Sequence, residues 1–192
     1  MTRIIGGTAG GRRLRTPTGD ATRPTADRVR EALFSALESQ LGSLTGLRFL
    51  DLYAGSGAIG LEALSRGAGV LTSVESDRRT ARMVQDNAAT LGFRKVEVVA
   101  QPVSRLLERH PRAPYDVVFA DPPYPLDNAE LEQALGLLVT YEWVAPGSVV
   151  VVERSARSVE PAWPDGLVRD RSKEYGETVL WYVRAGSEED DR

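Results

Sequence analysis

The chain has 192 residues, 42% hydrophobic and 27% charged, with a net charge of −3, no cysteine and a single histidine. That is enough chain for one domain with a real core. The composition excludes a disulfide framework, thiolate chemistry and a histidine-built metal site. No apolar run reaches the ~20 residues that a membrane span needs, and the first residues lack the apolar stretch of a signal peptide. A cytoplasmic monomer that binds neither membrane nor metal is expected.

The charge is unevenly spread. Residues 1–30 carry Arg3, Arg12, Arg13, Arg15, Arg23, Arg28 and Arg30 against Asp20 and Asp27, a local +5, whereas the tail from Gly186 sums to −3. A basic arm on an acidic body is the asymmetry of a protein that grips phosphates locally. Lys95 and Lys173 are the only lysines, so coding bias explains the choice of arginine but not the clustering.

In chain order, residues 2–16 read as a short hairpin around the Gly-rich turn 6–11, with too little apolar surface to stand alone and expected to be mobile until docked. A helix follows, with Thr25 as its N-cap. Val29, Leu33, Ala36, Leu37 and Leu41 form its apolar stripe, and Arg28, Arg30, Glu31 and Glu38 lie off that stripe. From residue 48 strands and helices alternate: strands at 48–52, 70–74, 96–99, 116–120 and 148–153, and helices after each of the first four. Asp77 caps the helix that ends at Leu91-Gly92. Alternation of this kind predicts a parallel, doubly wound sheet. Residues 167–172 and 177–183 break the pattern and read as a closing hairpin. The expected fold is thus α/β, Rossmann-like and doubly wound, with a mostly parallel seven-stranded sheet, a C-terminal antiparallel hairpin, and a small N-terminal hairpin and helix. Its expected parts are a basic arm (1–24), the main domain (25–185) and an acidic disordered tail (186–192).

Two stretches carry chemistry. The apolar strand at 116–120 delivers Asp121-Pro122-Pro123-Tyr124 to the sheet's carboxyl edge. The prolines stop the strand and leave carbonyls with few local donors. Asp121 adds a carboxylate and Tyr124 a flat ring, an arrangement suited to a planar molecule with an exocyclic amine. Alone, the run reads first as a Pro-rich loop that merely ends a strand, and only a matching cofactor site elsewhere changes that weighting. The second stretch, Asp51-Leu-Tyr-Ala-Gly55-Ser-Gly57-Ala-Ile-Gly60, sits at the first strand-to-helix turn. There Gly55 permits the turn, Gly57 lets a ligand approach, Gly60 allows helix–strand packing, and Glu75 ends the next strand where it can bind a ribose. As a literal G-x-G-x-x-G with its acid, this stretch also admits a dinucleotide. Asp51 favours a cationic ligand over a pyrophosphate, and the Asp121 run has no part in hydride transfer.

With Arg3-Ile-Ile-Gly-Gly, Arg23-Pro-Thr-Ala-Asp-Arg-Val-Arg-Glu31, the 51–66 run, Asp121–Tyr124 and Tyr175-Gly-Glu-Thr178, the chain up to about Val183 resembles the bacterial RsmD family of class I S-adenosylmethionine-dependent methyltransferases. The resemblance implies methylation of N2 of one guanine in 16S ribosomal RNA, on the small subunit or an assembly intermediate, with S-adenosylmethionine as cofactor. It implies catalytic roles for Asp121, Pro122, Pro123 and Tyr124. It places the cofactor against Asp51, Tyr53, Gly55, Ser56, Gly57, Glu75, Ser76 and Asp121. Gln101, Pro102 and Val103 follow the third strand, and there Gln101, or a backbone group, would meet the adenine. Arg3, Arg12, Arg13, Arg23, Arg28 and Arg30 are expected to contact RNA phosphates, each with a plain solvated role as the alternative. Tyr53 and Glu153 edge the pocket or cap strand ends, His110 is read as a surface residue, and Trp143, Trp163 and Trp181 as packing. The competing readings are an amino-methyltransferase acting on DNA adenine N6 or a protein amide, a nicotinamide dehydrogenase, and a non-catalytic RNA-binding assembly factor.

Overall fold

A computed structural model describes residues 2–17, 24–123 and 127–186. Seven strands form one sheet in the order β3-β2-β1-β4-β5-β7-β6: β1 (Arg48–Leu52), β2 (Val70–Val74), β3 (Val96–Val99), β4 (Tyr115–Ala120), β5 (Val144–Ser155), β6 (Leu167–Tyr175) and β7 (Thr178–Ala185). β1 to β5 pair in parallel, whereas β7 runs antiparallel to β5 and to β6. The expected Rossmann-like architecture with an antiparallel closing pair is present.

The central strands are apolar on both faces because helices cover both. Phe49, Leu71, Val117, Phe119, Val149 and Val151 point into one core, packed by α1 (Pro24–Leu41), α2 (Ala58–Ser65) and α3 (Arg78–Leu91). Leu50, Leu52, Val118, Ala120, Val150 and Val152 point into the other, packed by α4 (Val103–Leu107) and α5 (Asn128–Thr140). Asp77 caps α3 by accepting from the Thr80 N–H at 2.7 Å, and Gly92 closes it in the left-handed conformation. β6, at the sheet's edge, exposes Arg169, Asp170, Arg171, Lys173 and Glu174, charges that discourage edge-to-edge pairing.

Three boundaries differ from expectation. α1 begins at Pro24, so Thr25 lies within its first turn rather than at its cap; a proline is pre-set for that turn and lacks only an N–H that would be unpaired there. β5 starts at Val144 rather than Ser148 because the pairing shifts between Tyr115↔Val144 and Val117↔Val149. Pro146-Gly147 sits in that irregularity, and the Ser148 hydroxyl donates to the Tyr115 carbonyl at 2.7 Å while accepting from the Ala145 N–H. The last hairpin is longer than expected, with Tyr175↔Thr178 paired across a two-residue turn, Gly176-Glu177.

The basic arm is docked. One antiparallel bridge, Arg3↔Arg13, holds it as a hairpin around a 3₁₀ turn at Gly7–Ala9, and Ile4, Ala9 and Leu14 are buried in the first core. Its polar backbone is received by α2: Glu62, fully buried, accepts from the Ile5 and Gly6 N–H groups at 2.7 and 2.8 Å. The Ser65 hydroxyl accepts from the Ala9 N–H and donates to the Gly6 carbonyl. Trp143 stacks on Tyr115 within the second core and Trp163 lies against Trp181, as packing residues do. His110 is exposed beside Glu142. Among the described residues, no helix is long and apolar enough to cross a membrane.

Candidate active site

The carboxyl ends of β1, β4 and β5 meet the arm, α1 and the β6–β7 turn around a cavity of about 710 Å³. Asp51, Tyr53, Gly55 and Ser56 line it from the first turn, Asp121 from β4, Glu153 from β5, and Glu177 and Thr178 from the last hairpin. Thr2, Val29, Arg30 and Leu33 line it from the arm and α1. A second cavity of about 690 Å³ adjoins it, sharing Asp121, Glu153, Glu177 and Thr178 and adding Pro122, Arg154, Ser155, Arg157 and Ser158. Asp121 and Glu153 thus stand between two chambers at the sheet's carboxyl edge, the place where open α/β sheets bind ligands.

The Gly-rich turn departs from expectation in its division of labour. Gly55 has φ +54°, as the expected tight turn requires, and space is also open where a Cβ would stand on it. On Gly57 a Cβ would meet Val84 Cγ1 at 2.7 Å, and the backbone there has φ +78°. Close approach by a ligand is therefore available at Gly55 rather than Gly57, both glycines serve the turn, and Gly57 also serves the packing of α3. Gly60 behaves as expected: a Cβ there would strike Leu71 at 2.6 Å. Its N–H instead donates to Asp51 Oδ2 at 3.0 Å. Tyr53 has φ 59°, unusual for a residue with a side chain and characteristic of backbone held at a functional site.

Asp51 is 1% exposed. Burial pushes its carboxyl up to about 7, against the Gly60 N–H, with further upward push from Asp121 and Glu75. A cation beside it would offset that burial, so this acid, with Asp121 and Glu75 near it, suits a positively charged ligand group and opposes a pyrophosphate. Asp121 has open surface, yet burial of its carboxyl among the cleft walls raises it, tempered by Arg154. Glu153 is raised by burial and by Asp121. Its place in the cleft could be suspected from the sequence only by its position at a strand end.

Other expected residues sit differently. Glu75 Oε2 accepts from the Gly55 N–H at 3.0 Å and Oε1 from the Asp77 N–H at 2.9 Å, so it braces the Gly-rich turn. Ser76, Gln101, Pro102 and Val103 lie at the ends of β2 and β3 on the same edge, outside the lining of either cavity; Val103 is buried within the second core. Pro122 is buried and Pro123 exposed. Tyr124 and Arg23 lie outside the described residues. Asn87, which sequence reasoning passed over, is 3% exposed. It exchanges hydrogen bonds with the Arg15 backbone and donates to the Ser56 carbonyl at 3.0 Å, tying the arm to the Gly-rich turn. The available signal was a polar residue on the apolar stripe of Ala81, Val84, Ala88 and Leu91.

The arginines divide into two groups. Arg30 is 6% exposed, donates to the Arg3 carbonyl at 2.5 Å and to Asp27 at 3.1 Å, and lies 3.8 Å from Glu62. Its expected phosphate role is replaced by a structural one, because the guanidinium is enclosed and engaged by protein. Arg12 donates to the Thr90 and Leu91 carbonyls at the end of α3, where cations are favoured by the helix dipole. Arg3, Arg13 and Arg28 are exposed.

A seven-stranded sheet in this order, with β7 inserted antiparallel, is the Rossmann-like fold also found in S-adenosylmethionine-dependent methyltransferases. A magnesium protoporphyrin IX methyltransferase from Synechocystis, solved with bound S-adenosylmethionine, shares the fold at 12% identity, TM-score 0.64, over 88% of this chain and 87% of that one. The family model described as Conserved hypothetical protein 95 matches residues 2–184. The chain is 36% identical over 190 residues to ribosomal RNA small subunit methyltransferase D of Escherichia coli, covering 98% of this chain and 93% of the relative. The protein of that name from Haemophilus influenzae is 38% identical over 79% of this chain and 77% of its own. The solved structure of yhhF from Escherichia coli superposes with TM-score 0.85 at 34% identity, over 97% of this chain and 98% of that one. The chain belongs to this RsmD family of ribosomal RNA methyltransferases. A nicotinamide dehydrogenase is thereby excluded.

Proposed function

We propose that the protein transfers a methyl group from S-adenosylmethionine to the exocyclic N2 of one guanine of 16S rRNA, in the small subunit or its assembly intermediate. The observation that carries this reading is the pair of adjoining cavities with Asp121 between them, one suited to a cation through Asp51 and the other bordered by the Asp121-Pro122 edge. Asp51, Tyr53, Gly55, Ser56 and Asp121 would hold the cofactor, with Glu75 bracing the turn. When bound, the cofactor supplies a methyl group on a sulfonium, already a good leaving group.

The protein's part is placement. The target base leaves its RNA context, as base-modifying enzymes require, and enters the second cavity; stacking on Tyr124 follows from the family resemblance. Asp121 and the Pro122 carbonyl accept hydrogen bonds from N2, aim its lone pair and offset the positive charge that develops on nitrogen. No strong base is needed before attack, and the proton lost from N2 after transfer has carboxylates beside it. Exposed Arg3, Arg13 and Arg28, with Arg23, contact phosphates and set the register of the RNA without reading its sequence.

The test is transfer of labelled methyl from S-adenosylmethionine to small subunits from cells lacking the gene, with the product base mapped. Label on N2 of a single guanine, lost with Asp121→Ala, is the expected outcome. Label on a protein or on DNA adenine instead would overturn the reading.

A further inference from the structure

Five acids surround the two cavities or brace their walls, and three of them are engaged by donors. Asp51 accepts from the Gly60 N–H, Glu75 from the Gly55 and Asp77 N–H groups, and Glu177 Oε1 lies 3.4 Å from Arg157. Asp121 and Glu153 differ: among the described residues no hydrogen bond is made to either carboxyl. Their neighbouring backbone is fixed. Ala120 pairs with Val152, so each acid is the next residue after that pair on adjacent parallel strands, and Glu153 also pairs with Leu180 of β7. Both line both cavities. Both carboxyls face the cleft, where burial disfavours their charged form, and a ligand that brings an N–H donor there offsets that cost.

We infer that Glu153 reads the Watson–Crick edge of the target base by accepting from guanine N1–H, beside the N2 held at Asp121. This rests on the guanine-N2 reading above and adds the residue that makes the seat select guanine. Asp121-Pro122-Pro123-Tyr124 can seat any exocyclic amine. Guanine presents the N1–H donor next to its amine, whereas adenine and 2,6-diaminopurine present a bare N1 acceptor there. A carboxylate at Glu153 takes the donor and repels the lone pair, so it separates bases that Asp121 cannot. The desolvation that makes a bare Glu153 carboxylate unfavourable is relieved by that same N–H.

The experiment uses the full chain with S-adenosylmethionine and small subunits reconstituted with 16S rRNA carrying guanine or 2,6-diaminopurine at the mapped target. Both bases keep the N2 amine. The readout is the ratio of kcat/KM for the two, which is insensitive to the fraction of enzyme that folds. The native protein should prefer guanine by about 10- to 100-fold, the range of one hydrogen bond to a charged group. Glu153→Gln, whose amide can donate to the bare N1, should narrow or invert the preference, and Glu153→Ala should bring the ratio toward one. Methylation of guanine N2 with no native preference, or a preference unchanged in both variants, overturns the role of Glu153. No label on guanine N2 with the native protein overturns the guanine-N2 reading itself, and this inference with it.

Discussion

Glu62 and the Asp121–Glu153 pair are acids in one molecule with opposite circumstances. Glu62 is fully buried yet surrounded by donors: two backbone N–H groups of the arm, Arg66 Nε at 2.8 Å and Arg30 Nε at 3.8 Å. Asp121 and Glu153 are more open to the cleft and receive no hydrogen bond among the described residues. The first acid has its partners supplied by the fold, so its removal should unfold or loosen the protein. The second pair waits on a ligand, so its removal should spare the fold and stop the chemistry. Burial alone does not distinguish structure from function; satisfaction of the buried group does.

The sharpest break in that contrast would come from Asp121→Ala. Methyl transfer should fall by about 100-fold or more, the scale of losing a group that stabilises developing charge, while the thermal midpoint holds or rises. A midpoint that drops with activity would place Asp121 with Glu62. Glu62→Ala should do the reverse, costing about 3–5 kcal/mol in urea unfolding because two arginines and two N–H groups lose their acceptor. A loss below about 1 kcal/mol would show that the arm docks without it.

Gly57→Ala should cost about 1–3 kcal/mol through the Val84 contact and the left-handed backbone; an unchanged denaturation midpoint would return Gly57 to a purely ligand-facing role. The pH dependence of stability tests Asp51. Its folded pKa is raised to about 7, above the unfolded value of ~3.9, so the folded state holds the proton longer. Its favourable contribution is present below the unfolded pKa and is lost as pH rises to about 7. Asp51→Asn should flatten that decline and stabilise the free protein at pH 8, measured by denaturant midpoints at pH 5 and pH 8. A decline of the same size in the variant would shift the cause to other groups. The smallest effect is expected from Arg13→Gln, a few-fold loss in RNA affinity with a shallower salt dependence and no change in stability. Arg30→Gln should instead lower stability.

Much of the architecture could be read from the chain because it is written in local spacing. Apolar runs at 48–52, 70–74 and 116–120, a glycine-rich turn and an acid cap at Asp77 each specify an element within a few residues, and alternation of strand and helix leads to a parallel sheet. Boundaries were less legible where a distant partner set them: β5 begins four residues early because Tyr115 and Ser148 meet across strands. The position of Asp51 and Asp121 at one edge was also within reach of the sequence, since strand ends of a doubly wound sheet converge there. What each polar side chain does was not. Arg28 and Arg30 are two residues apart in a basic run, and spacing alone assigned both to RNA. Only the docking of the arm onto α2 encloses Arg30 and leaves Arg28 in solvent. The roles of Glu62 and Asn87 are decided elsewhere in the chain, because most of their partners come from segments 31 to 72 residues away that only tertiary packing brings into reach.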